Sequence, residues 1–269
     1  MSINFLLGKQ MDFINELFSL KNKLAVVIGG GGVLAGKMAE GLAKAGADIV
    51  VLDLNFENAK RQSQAIAEFG VKTSAIKVDA SKKQQMDTAA TEIIDQFGRV
   101  DILINAPGIN SATPFFEITK SEWEKIISVN LKSMFLACQI FGRQMIEQGG
   151  GGSIINISSA SSGPPLSRVF TYSISKAGVN NLTQYLAREL APYKIRVNAI
   201  APGFFPAEQN RKILTKQRID AIFDHTPMAR FGEPDELIGA VIWLAAEPAS
   251  SFVTGAVIRV DGGFTAMTI

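Results

Sequence analysis

Residues 24–34 read Leu-Ala-Val-Val-Ile-Gly-Gly-Gly-Gly-Val-Leu, and this stretch decides the fold of the chain. Its first five residues are all apolar, which is typical of a β-strand buried on both faces of a parallel sheet. The four glycines permit a tight turn, and a helix-period pattern starts directly after them. This order of strand, turn and helix predicts a place where backbone N–H groups bind a pyrophosphate at the N-terminus of the helix.

The same alternation of short apolar runs and longer amphipathic segments continues along the chain. The predicted strands are Leu24–Ile28, Ile49–Leu52, Thr73–Val78, Ile102–Ile104, Ser153–Ile157, Val197–Ala201 and Val257–Val260. The predicted helices cover residues 34–45, 56–69, 82–97, 121–147, 173–190 and 234–246. Strict alternation of strand and helix predicts an α/β Rossmann fold, namely a doubly wound, seven-stranded parallel sheet with helices on both faces.

The domain organisation is inferred from the segments that break the alternation of strands and helices. We find no internal repeat, low-complexity tract or proline-rich linker, so we expect one domain over residues 23–269. Residues 1–22 are expected to be an N-terminal extension with a short helix near residues 12–19, docked on the main body. The segment 203–230 is too long for an ordinary connection and follows a predicted strand, which predicts a substrate lid.

Composition excludes several classes of protein. The chain has 269 residues, is 47% hydrophobic and has a formal net charge of +2, so it can bury a large core and has no broad basic field for nucleic acid. A single cysteine and a single histidine, His225, cannot form an intramolecular disulfide or the usual kind of zinc site, and we expect no metal. No apolar run approaches the roughly 18 residues of a membrane span, and the N-terminus does not resemble a signal peptide. We therefore expect a cytoplasmic protein.

Asp53 strengthens the nucleotide-binding hypothesis. The spacing of Gly30, Gly32 and Ala35 fits G-x-G-x-x-A, although a run of four glycines fits many templates and a flexible turn is the alternative. Asp53 ends the second strand, 21 residues after Gly32, where a carboxylate can accept hydrogen bonds from ribose hydroxyls and repel a 2′-phosphate. No Arg or Lys occurs in residues 54–57, so the pattern favours NAD over NADP. The alternative is a strand-end aspartate that caps the next helix.

Tyr172 and Lys176 lie four residues apart on a predicted helix, on the same face. A free tyrosine has a pKa of about 10, and a nearby ammonium favours its phenolate, so this pair is suited to acid/base chemistry. Ser158 and Ser159 follow a predicted strand, and Ser159 lies 13 residues before Tyr172, where its hydroxyl can contact a substrate oxygen. The alternatives are a solvated helix face and serines that only form turns.

Taken together, these features resemble the short-chain dehydrogenase/reductase family from about Leu20 to Gly263. The matching positions, in chain order, are the glycine run, Asp53, Asp79, Asn105 with Gly108, Asn130, Ser159, Tyr172, Lys176 and Pro202-Gly203. The resemblance implies an NAD-dependent oxidoreductase that transfers hydride between the nicotinamide and a secondary alcohol or ketone. It also implies a homotetramer, with the helices near 121–147 and 173–190 in one interface and the C-terminal segment in another.

The resemblance assigns catalytic roles to four residues. Tyr172 exchanges the proton with the substrate oxygen, Lys176 lowers the tyrosine pKa and binds the nicotinamide ribose, and Ser159 orients the substrate oxygen. Asn130 holds a water in a proton relay, although buried helical asparagines often only satisfy backbone groups. The residues implied around the nucleotide are Gly29, Gly31, Gly32, Val33, Leu34, Asp53, Leu54, Asp79, Ala80, Asn105, Ala106, Gly108, Tyr172, Lys176, Pro202, Gly203 and Phe205.

Three departures from the family pattern concern the cofactor and not the proton transfer. The pattern Thr-Gly-x-x-x-Gly-x-Gly is met here by Ile28, Gly29, Val33 and Ala35. The usual Asn-Asn-Ala-Gly is Asn-Ala-Pro-Gly over residues 105–108, and the threonine expected after Pro202-Gly203 is replaced by Ala207.

Substrate expectations come from the glycine loop and from the lid, which carries Phe204-Phe205, residues 208–211 and residues 225–228. They resemble a subgroup of D-mannonate oxidoreductases, or D-fructuronate reductases, of sugar-acid metabolism. A sugar acid requires a cation and donors for its hydroxyls, and the candidates are Arg168, Gln209, Asn210 and Arg211. The alternatives are a gluconate 5-dehydrogenase, a polyol dehydrogenase, a 3-oxoacyl-carrier-protein reductase or, in another class, a dinucleotide-binding protein without turnover.

Overall fold

The computed structural model describes residues 12–206 and 215–267. They contain one parallel sheet with the strand order β3-β2-β1-β4-β5-β6-β7. The strands are β1 (Leu24–Ile28), β2 (Asp48–Asp53), β3 (Thr73–Lys77), β4 (Ile102–Asn105), β5 (Gly152–Ile157), β6 (Ile195–Pro202) and β7 (Val257–Val260). The predicted seven-stranded, doubly wound α/β fold is confirmed. The strand order reverses between β1 and β4, which is where open α/β sheets bind ligands.

Helices cover both faces of this sheet. They are α1 (residues 12–18), α2 (Val33–Lys44), α3 (Phe56–Ala67), α4 (Lys83–Phe97), α5 (Lys120–Ile127), α6 (Ser133–Gln148), α7 (Phe170–Leu190), α8 (Lys216–Asp224), α9 (Ile238–Ala245) and α10 (Glu247–Ser250). Helices α2, α3 and α9 contribute to one buried apolar cluster, and α4, α6 and α7 contribute to the other.

Strand β1, which lies between β2 and β4 inside the sheet, explains why the predicted strands are continuously apolar. Val27 packs into the cluster on one face and Val26 into the cluster on the other, and both are fully buried. Burying one such side chain contributes about 1.5–3 kcal/mol, so each face of the strand helps to hold a layer of helices. The strand order places the carboxyl ends of β1, β4, β5 and β6 side by side, beneath the predicted site residues.

The helix predicted over residues 121–147 differs from the observed structure. Helices α5 and α6 are joined by a π-helical turn over Ser128–Lys132, with Asn130 buried inside it. A π-helical turn accommodates one extra residue and redirects the side chains around it. Hydrophobic periodicity continues across such a turn, so the pattern predicted one uninterrupted helix.

The N-terminal helix docks less than predicted. Phe13 and Ile14 of α1 are 60% and 48% exposed, whereas Phe18 and Leu20, near the start of β1, reach the core. Residues 1–11 of the predicted extension lie outside the described residues. Within the described part of the chain, none of the helices is long and apolar enough to span a membrane.

The two ends of the predicted lid segment are joined to each other, and its second end also contacts the loop after β7. The Gly232 N–H donates to the Phe204 carbonyl at 2.9 Å, and the Met228 N–H donates to the Gly262 carbonyl at 3.2 Å. Between these anchors lies α8, a helix that the sequence pattern did not predict; the Thr215 side chain caps it. Ala207, Glu208, Gln209, Asn210 and Arg211 lie outside the described residues.

Candidate active site

The glycine turn is shaped by close backbone approach. Gly29 has a φ of +76°, and a Cβ there would lie 3.1 Å from the carbonyl carbon of Ala106. The Gly32 N–H donates to the Gly29 carbonyl at 3.0 Å and closes the turn. Gly32 is the N-cap of α2 and has no side chain to satisfy the N–H groups of the first helical turn. An anion can bind these N–H groups, as the glycine run predicted.

Asp53 joins the end of β2 to this turn. Its Oδ2 accepts from the Gly31 N–H at 3.0 Å, and its Oδ1 accepts from the Asn55 N–H at 2.9 Å. A Cβ on Gly31 would lie 2.9 Å from Asp53 Oδ2, so the carboxylate needs glycine there. The cap of α3 is Asn55, whose side chain accepts from the Asn58 N–H. Asp53 therefore does not cap α3, which had been the alternative to nucleotide binding.

The adenosine side of the predicted site continues onto β3. Asp79 Oδ1 accepts from both the N–H and the hydroxyl of Ser81, at 3.0 and 2.7 Å, so this carboxylate shapes the turn that also holds Ala80. Lys77 is paired in register with Asp53 and is exposed. The sequence prediction had considered cations only in the four residues after Asp53 and therefore missed it. The sequence does not show which residues of β2 and β3 lie opposite each other in the sheet, and this pairing is needed to identify Lys77.

These groups fit a dinucleotide. The glycine turn and the α2 N-terminus suit a pyrophosphate, and the Asp53 carboxylate has lone pairs that remain available to ribose hydroxyls. Gly108 lies beside Lys176, since a Cβ there would be 3.6 Å from Lys176 Nζ. The nucleotide-side residues and the predicted catalytic residues therefore line neighbouring parts of the same sheet edge.

Three of the four predicted catalytic residues meet above β5. Lys176 is only 3% exposed, and its Nζ donates to the Ile157 carbonyl at 2.7 Å. The same Nζ lies 5.7 Å from the centroid of the Tyr172 ring. The Ser159 side chain lies close enough to the Tyr172 phenol to lower its pKa. The end of β5 supplies Ser159, and α7 supplies Tyr172 and Lys176 one turn apart.

Burial controls the ionisation of this group. Burial raises the pKa of the Tyr172 phenol, and the nearby Ser159 side chain partly opposes that rise. Burial also lowers the pKa of Lys176 to about 7. We had expected the lysine to lower the tyrosine pKa. Instead, the largest influence on both residues is loss of solvent, which favours the neutral form of each.

Asn130 connects the π-helical turn to two other elements. Its Oδ1 accepts from the Ile109 N–H at 2.8 Å, and its Nδ2 donates to the Ile109 carbonyl at 2.9 Å and to Ser175 Oγ at 3.0 Å. Ser175 Oγ in turn donates to the Tyr172 carbonyl at 2.6 Å. The side chain therefore holds the loop after β4 against α7. Near Gly108, its Oδ1 borders the same space as Lys176 Nζ.

Asn105 stands at the end of β4 and is completely buried. Its Nδ2 donates to Asn156 Oδ1 at 2.8 Å and approaches Cys138 Sγ at 3.3 Å. Asn156 Nδ2 continues the chain to Thr183 Oγ1 at 3.0 Å. Asn105 therefore ties the end of β4 to β5. Burial raises the pKa of Cys138 to about 12, so this thiol stays protonated at neutral pH.

The segment after β6 is held by close contacts. A Cβ on Gly203 would lie 2.7 Å from Asp261 Cα, and the Gly203 N–H donates to the Val260 carbonyl at 3.0 Å. Phe205 was predicted to contact the cofactor, but its ring packs against Gly232 and the apolar core. The structure therefore gives this side chain a packing role.

Of the predicted substrate residues, only Arg168 is described. It is exposed, with a φ of +69°, in the loop that leads to Tyr172. Sequence reasoning missed Arg218 of α8, whose Nη1 donates to Ser167 Oγ at 3.1 Å. Two arginines therefore lie at the loop before the tyrosine, one from that loop and one from α8. An apolar periodicity cannot indicate where a helix such as α8 docks.

Comparison with known proteins establishes the family. A family model described as enoyl-(acyl carrier protein) reductase matches residues 32–265. The 5-keto-D-gluconate 5-reductase of Escherichia coli K12 is 36% identical over 251 residues, which cover 93% of this chain and 98% of that relative.

Two solved structures are similar over nearly their whole length. A provisionally assigned D-mannonate oxidoreductase from Haemophilus influenzae, with bound NAD, has a TM-score of 0.90 and 38% identity, covering 95% of this chain and 99% of that one. A gluconate 5-dehydrogenase from Burkholderia cenocepacia, in complex with NADP and tartrate, has a TM-score of 0.90 and 34% identity, covering 95% and 100%. The chain belongs to the short-chain dehydrogenase/reductase family and is an NAD(P)-dependent oxidoreductase that acts on CH–OH groups.

Proposed function

We propose that this protein interconverts a secondary alcohol and a ketone on a sugar acid, with NAD as its cofactor and D-mannonate and D-fructuronate as the leading substrate pair. The observation that carries the proposed chemistry is the buried Lys176 beside the Tyr172 ring, with the Ser159 side chain close to the same phenol. The sugar-acid assignment is supported by the names of the similar proteins.

Ser159 is arranged to donate a hydrogen bond. Its Oγ accepts from the Ser161 N–H at 3.2 Å and from the Ser161 hydroxyl at 3.1 Å. A hydroxyl has two lone pairs and one proton, so these contacts leave the proton for a phenolate or a substrate oxygen. Ser159 can therefore orient a carbonyl or carbinol oxygen toward Tyr172.

Tyr172 is the proposed acid and base. In reduction, its O–H proton goes to the substrate carbonyl oxygen; in oxidation, the phenolate takes the proton of the substrate O–H as the C=O bond forms. A bound nicotinamide supplies the hydride to the carbonyl carbon, or takes it from the carbinol carbon. Because burial raises the tyrosine pKa, the phenol holds its proton at neutral pH and is ready for the reductive direction.

Lys176 completes the site in two ways. One N–H of its buried Nζ donates to the Ile157 carbonyl, which fixes the amine beside Tyr172 and leaves its other hydrogens for the nicotinamide ribose. A pKa of about 7 allows this amine to take up or release a proton near neutral pH. We propose that Asn130 and Lys176 border a water-filled relay next to Gly108.

The choice of NAD rests on Asp53. Its carboxylate lies against the glycine turn, where a 2′-phosphate would place a second negative charge beside it. Lys77, in register with Asp53, is the feature that favours NADP, and similar structures are described with each of the two nucleotides. Comparing the kcat/KM of the enzyme for NAD and NADP decides between them.

The substrate requires a direct assay. Purified protein is incubated with NAD or NADH and, in turn, D-mannonate, D-fructuronate, D-gluconate, 5-ketogluconate, a polyol and an acetoacetyl thioester, and the absorbance of NADH is followed. Turnover of D-mannonate or D-fructuronate with the highest kcat/KM supports the proposal. Preference for D-gluconate or 5-ketogluconate supports the second candidate, a gluconate 5-dehydrogenase, which the Escherichia coli and Burkholderia relatives favour. Turnover of the thioester alone contradicts a sugar-acid function.

The quaternary structure belongs to the same proposal. Apolar and aromatic side chains are exposed on two long helices, including Phe135 of α6 and Ile174 and Tyr185 of α7. We propose that these helices pair between subunits of a homotetramer. Light scattering on the purified protein tests the assembly, and the mass of a monomer would contradict it.

We also propose that the segment 203–230 closes over the substrate.

A further inference from the structure

Ser159 belongs to a short turn that other side chains must hold in place. It begins the 3-10 turn Ala160–Ser162, between the end of β5 and the loop that precedes α7. Ser162 Oγ donates to the Ser159 carbonyl at 2.6 Å. The backbone of the proposed substrate-orienting residue is therefore anchored by the hydroxyl of Ser162, three residues later.

Asn180 binds this turn from α7, one helical turn after Lys176. Its Oδ1 accepts from Ser158 Oγ at 2.6 Å, and its Nδ2 donates to Ser162 Oγ at 2.8 Å. One amide thus contacts the residue before Ser159 and the residue that anchors its carbonyl. The directions are consistent, because Ser162 uses its proton for the Ser159 carbonyl and accepts from Asn180 with a lone pair.

We propose that Asn180 is a positioning residue, which holds the 158–162 turn so that the Ser159 hydroxyl meets Tyr172. The proposal rests on the function proposed above, since it assigns Asn180 to the geometry of that reaction. Helix α7 carries Tyr172, Lys176 and Asn180 at intervals of four residues, so one rigid helix face sets the acid/base group and the turn that orients the substrate. Catalytic groups need such support, because small displacements lower the rate strongly.

The test compares two asparagines that are adjacent on the same helix. Asn180→Ala removes both hydrogen bonds to the turn, whereas Asn181→Ala changes an exposed residue and has the same effect on helix propensity. We expect Asn180→Ala to lower kcat by about tenfold to 100-fold, with the KM for NAD unchanged. Asn181→Ala should behave as the wild type. Equal kcat in the two variants would overturn the proposal.

A pH profile separates positioning from a loss of folded protein. The nearby Ser159 side chain lowers the pKa of Tyr172, so displacing it should raise the apparent pKa of the tyrosine-controlled step. Ser162→Ala removes the hydroxyl that anchors the Ser159 carbonyl from the other end of the turn. The fold-loss of kcat in the double variant Asn180→Ala/Ser162→Ala should be smaller than the product of the two single losses, because both changes act on the Ser159 carbonyl. Losses that multiply independently would contradict a shared role.

Crystal structures of the wild type and both asparagine variants test the inference without any substrate. The distance between Ser159 Oγ and the Tyr172 hydroxyl should be longer in Asn180→Ala than in the wild type, and unchanged in Asn181→Ala. An unchanged distance in both variants would overturn the positioning role, whatever their activity. If the wild type turns over none of the assayed compounds, the proposed function fails, and this structural comparison still decides the role of Asn180.

Discussion

The nucleotide end and the chemical end of the site are built differently. At the nucleotide end, backbone dominates: Gly29 and its neighbours form a tight turn, and the half-buried Asp53 bonds to the Gly31 N–H. At the chemical end, buried side chains dominate: Lys176 is almost inaccessible, and Tyr172 loses most of its solvent. The first end depends on how closely chain segments approach one another, and the second depends on desolvation. Substitutions at the two ends should therefore change different measured quantities.

The largest effect is expected at the chemical end. Tyr172→Phe removes the proton-transferring hydroxyl and should lower kcat by about 10²–10⁴-fold. Nucleotide affinity, followed by protein fluorescence, should stay near that of the wild type because the glycine turn is untouched. Tyr193→Phe is the control, since that ring is exposed just after the same helix. Undiminished turnover in Tyr172→Phe would disprove the assignment.

Lys176 tests the role of desolvation directly. Its pKa in the folded protein, about 7, lies below its ordinary value of 10.5. Between these two values the unfolded chain binds more protons, so this residue makes stability rise with pH. Relative to Lys176→Met, the free energy of unfolding of the wild type should increase by roughly 1 kcal/mol per pH unit upward from about pH 7.

Denaturant titrations over a range of pH measure that slope. Lys60→Met is the matched control, because Lys60 is exposed on α3 and should introduce no such difference. A stability difference between the wild type and Lys176→Met that is independent of pH would show that the ammonium of Lys176 is solvated in the folded protein.

Gly29 tests the importance of close approach at the nucleotide end. Gly29→Ala and Gly98→Ala both place a side chain at a positive φ, +76° and +78°, but only Gly29 faces backbone nearby, at Ala106. The conformational cost alone is about 1–2 kcal/mol. We expect Gly98→Ala to lose that amount of unfolding free energy, and Gly29→Ala to lose more and also to bind NAD more weakly. Equal losses of unfolding free energy in the two variants would indicate that the glycine turn shifts to accommodate the added methyl group.

The smallest effect concerns the choice between NAD and NADP. Asp53→Asn keeps one oxygen acceptor but removes the charge that repels a 2′-phosphate. The ratio of kcat/KM for NAD to that for NADP should fall about tenfold, equivalent to about 1.4 kcal/mol. Lys77→Gln should shift the ratio in the opposite direction, because it removes a cation paired in register with Asp53. An unchanged ratio in both variants would place the preference elsewhere.

Much of the fold was predictable because its signals are local. Strands β1 and β7 begin and end at the predicted residues, and the other strands differ by no more than two residues at either end. Buried parallel strands have continuous apolar runs, and the glycines between β1 and α2 mark the turn. Helix α8 was not predicted, because it depends on where the predicted lid segment docks. The π-helical turn was not predicted, because it depends on one inserted residue.

The site was predictable to the extent that its residues are separated by regular intervals. Tyr172 and Lys176 share a helix face, and that spacing brought them together correctly. Asn180 was not identified, because its role requires knowing that the turn after β5 lies against α7. Lys77 and Arg218 were missed for the same reason, since each meets the site through a neighbouring strand or loop.

The sequence by itself determined the strand and helix pattern, the glycine turn and the identities of the chemical groups, because these depend on intervals of a few residues. Only the tertiary structure decided that Ser159 lies near Tyr172, that Lys176 is desolvated and that Phe205 packs against Gly232. Contacts and solvent exposure arise from segments that are distant along the chain. A side chain's pKa and its function follow from those contacts, which no local pattern specifies.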